Sequence, residues 1–474
     1  MFAGKADGVV GTTIRSGVGM TTKLLAYVEA GLPTGWERVG REILTHLHRS
    51  GEFDVTVMGV NYSGNPDMRY EYPVYSAGTT RDDPVGAADF HKIVTRRKPD
   101  VLWLLNDIWN INTWLTFKPL EVPAVAYFPV DTPNVKWGFT AALGAAARVA
   151  VYTQFGARET AAAVRDHVDL LTRAMIEQAP DEITQERYWY TLPHPTGGKI
   201  HGRMDALCRY QNPSAYDVIP HGLDATKFAV RNKTEARQRF GIPEDAFVVS
   251  NVNRNQFRKR QDLTIRAFAR LAQECPKAVL VMHCAEHTIQ GWDLEQLAQY
   301  YGVGRRCFFV HESVNVLTDD DLVDFYNVAD VQINTAGGEG WGLTSVEGAA
   351  CGVPQLVPDW SATREIWADG AGVLLPIKDY RFEPKFLNTA HANVDSDAAG
   401  DILIRLWRDA DERARLSQAG LELVKRQWTW AAVGDAFATV LREAMAIGKP
   451  QPRSLQGMVA AREGVVRSEL RPAA

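Results

Sequence analysis

The chain has 474 residues, which exceeds what a single hydrophobic core organises, so two or three domains are expected. With 46% hydrophobic and 23% charged residues it is neither fibrous nor disordered in composition, and a net charge of −5 gives no broad attraction for nucleic acid or anionic lipid. Five cysteines without CxxC spacing exclude a disulfide framework and a structural zinc site, and point to a reducing, cytoplasmic compartment.

Residues 1–21 are rich in Gly, Ser and Thr and contain no apolar h-region, so they read as an extension and not as a signal peptide. No run approaches 18 uninterrupted apolar residues, so no integral membrane segment is expected. The run KLLAYVE at residues 23–29 predicts a first strand, the loop at 30–35 carries glycine, and residues 36–49 predict a helix with Val39, Ile43, Leu44 and Leu47 on one face. Further strands are predicted at 54–60, 101–105, 124–128 and 149–153, the alternation of short apolar runs with helical period that marks βα units and a parallel sheet. Residues 164–215 carry Pro, Gly and aromatics without a clean period and are treated as an insertion. A second α/β series follows, with strands at 247–252, 278–283, 307–311, 331–334, 355–357 and 372–375. The expected organisation is an N-terminal Rossmann-like domain at 22–225 and a C-terminal one at 226–427. A helix at 428–447 then returns to the first domain, and a tail fills 448–474.

Residues 335–354, TAGGEGWGLTSVEGAACGVP, form the densest feature. Gly337, Gly338, Gly340 and Gly342 allow backbone N–H groups to approach a ligand, and the helix predicted from Leu343 points its positive end at the loop, which suits an anion. Glu339 in the loop and Glu347 on that helix can face one pocket, and carboxylates accept hydrogen bonds from vicinal hydroxyls. Residues 251–268, NVNRNQFRKRQDLTIRAF, place Arg254 and Lys259 five apart at the carboxyl end of a strand, where open α/β sheets bind ligands. A guanidinium and an ammonium there suit a diphosphate.

Together the two stretches resemble glycosyltransferase family 4, in which a Glu-x7-Glu motif and an upstream Arg-x4-Lys pair line the donor site of a GT-B fold. Residues 218–228, 308–335 and 36–60 resemble the family's interdomain segment, its approach to the motif and its first helix and second strand. The resemblance implies an α/β GT-B fold, two parallel-sheet domains facing across a cleft, and a retaining, metal-independent transfer from a nucleoside diphosphate sugar of UDP or GDP type, with no further cofactor. It further implies that Glu339 contacts the donor sugar, Glu347 the ribose, and Arg254 with Lys259 the diphosphate. The backbone at Gly340, Trp341, Gly342 and Leu343 would line the sugar pocket, Gly338 and Thr344 would join the donor site, and Gly35 would close on the phosphates. Two departures stand out: Asn253 precedes the arginine, and the usual Gly-Gly loop is Pro33-Thr34-Gly35-Trp36.

Relatives commonly carry a histidine after the strand at 124–128, where this chain reads YFPVDTP. Asp131 is the substitute candidate, either orienting an acceptor hydroxyl or helping remove its proton, or else capping the turn before Pro133, and Asp107, Trp109 and Asn110 are placed similarly. Asp319, Asp320 and Asp321 precede a helix, where acids favour the N-terminus, and are not read as a metal cluster; His283 and His287 lack a third ligand. A GT-B epimerase or phosphorylase, or a non-catalytic sugar-nucleotide-binding module, are the alternatives. A dinucleotide oxidoreductase is disfavoured by the lack of a GxGxxG turn with a following acid. The acceptor stays open.

Overall fold

The computed structural model describes residues 21–448 except 33, 63, 65–68, 78–82, 84, 117–121, 136, 179–188, 194–198, 204–206, 286–287, 289–290, 311–316 and 383–388. The N-terminal strands are β1 (Thr22–Glu29), β2 (Phe53–Val60), β3 (Val74–Ala77), β4 (Val101–Leu105), β5 (Ala124–Phe128), β6 (Arg148–Val151), an antiparallel pair β7 (Trp189–Pro193) and β8 (Lys199–Arg203), and the short β9 (Asp217–Val218). All but the β7–β8 pair form one parallel sheet in the order β3-β2-β1-β4-β5-β6-β9. Every residue of VLWLL in β4 and AVAYF in β5 is buried, as central strands covered by helices on both faces require.

Helix α1 (Gly35–Arg49) buries Val39, Ile43, Leu44 and Leu47 on its sheet face and is capped by Thr34, whose hydroxyl accepts from the Glu37 N–H. It is followed by α2 (Ala87–Arg97), α3 (Ile108–Thr116) and α4 (Gln154–Gln178). Helix α4 runs through Val164, where the sequence reading starts an irregular insertion. Its alanine run at 161–163 carries the helix through this point.

The C-terminal strands β10 (Phe247–Val252), β11 (Ala278–His283), β12 (Cys307–Val310), β13 (Val331–Ile333), β14 (Gln355–Pro358) and β15 (Val373–Leu375) form a second parallel sheet, in the order β12-β11-β10-β13-β14-β15. The helices of this half are α5 (Lys233–Arg239), α6 (Gln261–Glu274), α7 (Leu294–Tyr300), α8 (Asp319–Asn327), α9 (Leu343–Ala350), α10 (Ser361–Trp367), α11 (Ser396–Arg408), α12 (Ala410–Gln427) and α13 (Trp430–Ile447). An antiparallel hairpin, β16 (Ile377–Phe382) with β17 (Ala390–Val394), follows β15. Its first strand is largely exposed and lacks the apolar alternation by which a strand is read from sequence. Among the described residues, no helix is long and apolar enough to cross a membrane.

Helix α13 lies on the N-terminal sheet. Phe437 meets Trp103 and Tyr127 edge-on at ring-centroid distances of 5.2 and 4.7 Å, and His46 and Glu52 pair with Asp435 and Arg442 on its exposed side. The segment leading into α13 runs beside the interdomain segment, with the Leu223 N–H donating to the Trp428 carbonyl at 3.1 Å. Phe437 is fully buried, so Phe437→Ala should cost about 3–5 kcal/mol, measured by denaturant unfolding; a change below about 1 kcal/mol would mean that the helix is not part of the N-terminal core.

Candidate functional site

In both sheets the strand order reverses once, between β1 and β4 and between β10 and β13. Loops leaving the carboxyl ends of the two strands at such a point diverge and leave a crevice. In the C-terminal domain these loops are the one after β10, holding Arg258 and Lys259, and the one after β13, holding Glu339. The two are pinned together below the side chains. The Thr335 hydroxyl donates to the Arg260 carbonyl (2.7 Å) and is linked to the Thr264 hydroxyl (2.8 Å), and the Gly337 N–H donates to the Arg258 carbonyl (2.8 Å).

Above this base, Lys259 Nζ donates to Glu339 Oε1 at 2.5 Å, and Asn334 Nδ2 donates to the same oxygen at 3.2 Å. Arg258 Nη1 donates to the Gly338 carbonyl at 2.6 Å and lies 3.4 Å from both Glu339 Oε2 and Asp131 Oδ2. Burial drives the Glu339 carboxyl up, but Lys259 and Arg258 override it and hold it below the usual carboxylate range. Burial, with Arg258 beside it, pulls the Lys259 ammonium down against the opposing pull of Glu339. The cluster is a set of partly buried charges around the buried Glu339, near mutual neutrality.

The glycines of this loop are required by the opposite domain. A Cβ on Gly338 would lie 2.3 Å from Thr132 Cγ2 and 2.4 Å from the Asp131 carbonyl, and one on Gly340 would lie 2.7 Å from Pro129 Cβ. The turn after β5 therefore sits directly on the loop, which brings Asp131 to Arg258. Asp107, at the end of β4, joins the same group. Burial first, and then Asp131, push its carboxyl up to about 7 against the pull of Arg258.

One helical turn further on, Glu347 is buried on α9. Tyr326 donates its hydroxyl to Glu347 Oε2 at 2.7 Å, while Arg38, on α1 of the other domain, donates to Oε1 and, at 2.9 Å, to Asp319 Oδ1. Asp319 also pairs with Lys227 of the interdomain segment. Asp321 completes a capping box with Thr318 at the start of α8, and Asp320 pairs with Arg231.

Lys259, Glu339 and Asp131 thus meet, with Arg258 between them. Arg254 does not join them: it is exposed, and among the described residues its side chain makes no hydrogen bond or ion pair. Gly35 starts α1 opposite the loop, its Cβ position 3.3 Å from Leu343 Cδ1. Trp341 turns its ring into the domain junction, 5.0 Å from Trp428 and 5.8 Å from His221, so only its backbone borders the cleft. Gly342, Leu343 and Thr344 form the start of α9 at the cleft, where the Thr344 carbonyl accepts from Gln332. His283 ends β11 beside Phe325, and His287 lies outside the described residues. Arg38, Tyr326 and the β16–β17 hairpin were not read from the sequence. The hairpin borders the site, with the Ala392 N–H donating to the Gly337 carbonyl at 2.9 Å and the Ala390 N–H to the Pro133 carbonyl at 3.4 Å. Arg38 carried one signal, a cation in the first turn of a helix, where the dipole favours acids.

Residues 232–381 match the model of the family described as Glycosyl transferases group 1. Among curated proteins, the chain is 29% identical over 265 residues to a D-inositol 3-phosphate glycosyltransferase of Salinispora arenicola, covering 53% of this chain and 55% of that one. It is 32% identical over 172 residues to a protein of the same name from Geodermatophilus obscurus, covering 34% and 37%. The chain spans about half the length, or less, of these relatives. Among solved structures, sucrose-phosphate synthase from Thermosynechococcus elongatus matches 90% of this chain and 99% of its own, at a TM-score of 0.62 and 16% identity. HepE from Anabaena in complex with UDP-glucose matches 89% and 99%, at 0.60 and 15%. These likenesses establish the shared two-domain fold.

The carboxyl of Asp107 binds more protons in the folded than in the unfolded chain between about pH 4 and 7, so its contribution to stability falls as pH rises through that window. Asp107→Asn should therefore melt above the wild type at about pH 8 and lose the advantage near pH 4. A difference in melting temperature that does not change with pH would remove Asp107 from the titrating group.

Proposed function

We propose, from the match of residues 232–381 to the model of the Glycosyl transferases group 1 family, that the chain is a glycosyltransferase with a GT-B fold that moves a sugar from a nucleoside diphosphate sugar to a hydroxyl acceptor, with retention at the anomeric carbon and without a metal. The observation that carries this reading is the group of Lys259, Arg258 and the buried Glu339 at the switch point of the C-terminal sheet, with a second buried carboxylate, Glu347, on the helix that follows the loop. An ammonium and a guanidinium on one side and two carboxylates on the other provide separate stations for a diphosphate and for two sets of vicinal hydroxyls. That HepE and its UDP-glucose complex share this fold supports the donor class.

In this reading, Glu339 accepts hydrogen bonds from the donor sugar and Glu347 from the ribose. The bond between the anomeric carbon and the diphosphate oxygen breaks, and the electron pair leaves with the phosphate. Lys259 and Arg258 stabilise that developing charge, the task a metal ion performs at other sites. Arg254 is exposed without a donor, and its diphosphate role requires its side chain to swing toward Lys259 when a nucleotide binds. Asp131, at the mouth of the N-terminal domain and paired with Arg258, orients the acceptor hydroxyl. Gly35 and the first turn of α1 close over the phosphates, and the Gly340–Leu343 backbone lines the sugar.

The test is a donor panel of UDP and GDP sugars, assayed for slow release of the nucleoside diphosphate by the wild type and by Glu347→Ala. Loss of hydrogen bonds to a charged acceptor corresponds to about 1.5–3 kcal/mol, so the donor KM should rise roughly 10–100-fold. An unchanged donor KM would overturn the ribose assignment, and turnover that requires free phosphate would mark a phosphorylase instead.

A further inference from the structure

Arg38 stands in the first turn of α1, one residue from Glu37 and close to the positive end of the helix. The helix dipole disfavours a cation there, so its partners must hold it, and they lie outside the N-terminal sheet. They are Glu347 Oε1, Asp319 Oδ1 at 2.9 Å, and the ring of Phe228, whose centroid is 5.4 Å from the guanidinium carbon. Tyr326, from behind, holds the other oxygen of Glu347. The oxygen that Arg38 holds is therefore the one that faces the opposite domain, and both oxygens of this buried carboxylate are engaged.

A ribose diol donates two hydrogen bonds to a carboxylate. On the reading of Glu347 as the ribose acceptor, the diol and the Arg38 guanidinium require the same side of the same group. We propose that Arg38 is a positioning residue: in the donor-free protein it stands in for the ribose on Glu347 and ties the two domains together, and the nucleotide displaces it. The exchange keeps both carboxylates satisfied. Glu347 trades one set of donors for another, and Asp319 keeps Lys227 as its cation. Donor binding is thereby linked to the relative placement of the domains, because the residue displaced belongs to the other one.

The test combines small-angle X-ray scattering of the ligand-free protein with calorimetric titration of UDP and GDP, on the wild type, Arg38→Met and Arg38→Lys. A bound form that must first release Arg38 has its affinity reduced by the fraction already released. Arg38→Met should therefore show a larger radius of gyration and bind its nucleotide roughly threefold tighter or more, with Arg38→Lys returning toward the wild type on both readouts. Asp319→Asn weakens the same tether without touching Glu347 and should move both readouts in the same direction, which guards against misfolding of the first variant. An unchanged radius of gyration overturns the tether. Weaker nucleotide binding overturns the competition, because Arg38 would then be a contact of the nucleotide. If the tether loosens but no variant, nor the wild type, binds either nucleotide, the assignment of Glu347 to ribose fails and the competition fails with it.

Discussion

The contact between Lys259 and Glu339 sets the terms for everything around it. Taking two charges out of water costs several kcal/mol per ion even after relaxation, and a pair so buried stays ionised only while both members and their hydrogen bonds are in place. Here that condition is met by Asn334 on the carboxylate, by Arg258 spanning Glu339, the Gly338 carbonyl and Asp131, and by the Gly337–Arg258 backbone hydrogen bond and the Thr335 hydroxyl, which lock the loop after β10 to the loop after β13. The missing side chains at Gly338 and Gly340 follow from the same condition, since the turn after β5 could not otherwise come close enough to seal the group. Removing Glu339 would leave Lys259 and Arg258 side by side without the carboxylate they share, at about 3–5 kcal/mol.

The same arrangement explains why the site is suited to an anion. Two cations share one carboxylate in the heart of the cluster, and the nearest other acids, Asp131 and Asp107, come from the opposite domain. A phosphate entering between Lys259 and Arg258 adds negative charge where the C-terminal domain alone has an excess of positive charge. The acids across the cleft then face the acceptor side. Around Arg258 the N-terminal domain supplies acids and the C-terminal domain the two cations, and catalysis in the proposed reading depends on bringing them to the separation seen between Arg258 and Asp131.

What could be read from the sequence was whatever a single βα unit encodes. Glu339 and Glu347 were legible because strand, glycine loop and helix fix their spacing within one unit, and Lys259 because it closes the neighbouring unit at the switch point. The strand at 101–105 and that at 124–128 were legible residue for residue because both are uninterrupted apolar runs. Contacts between units were not legible. Nothing local distinguishes Arg258 from Arg254, and only the short helical turn at Phe257–Lys259 decides which of them turns inward. The Trp341 ring carried no signal of its own place, an aromatic contact with His221 and Trp428 at the domain junction. Arg38 lies 309 positions from Glu347, and no periodicity carries information over that distance. The hairpin after β15 escaped because its strands answer to the Gly337 backbone and to Pro133 more than to an apolar face.

Fold and charge arrangement together make a specific claim about where a nucleotide must lie. The most direct measurement is a crystal structure of the protein soaked with UDP or GDP. The account predicts the diphosphate within hydrogen-bonding distance of Lys259, the ribose hydroxyls on Glu347, and Arg38 withdrawn from that carboxylate. A nucleotide bound elsewhere, or one bound there with the Arg38–Glu347 pair intact and the ribose away from Glu347, would contradict it.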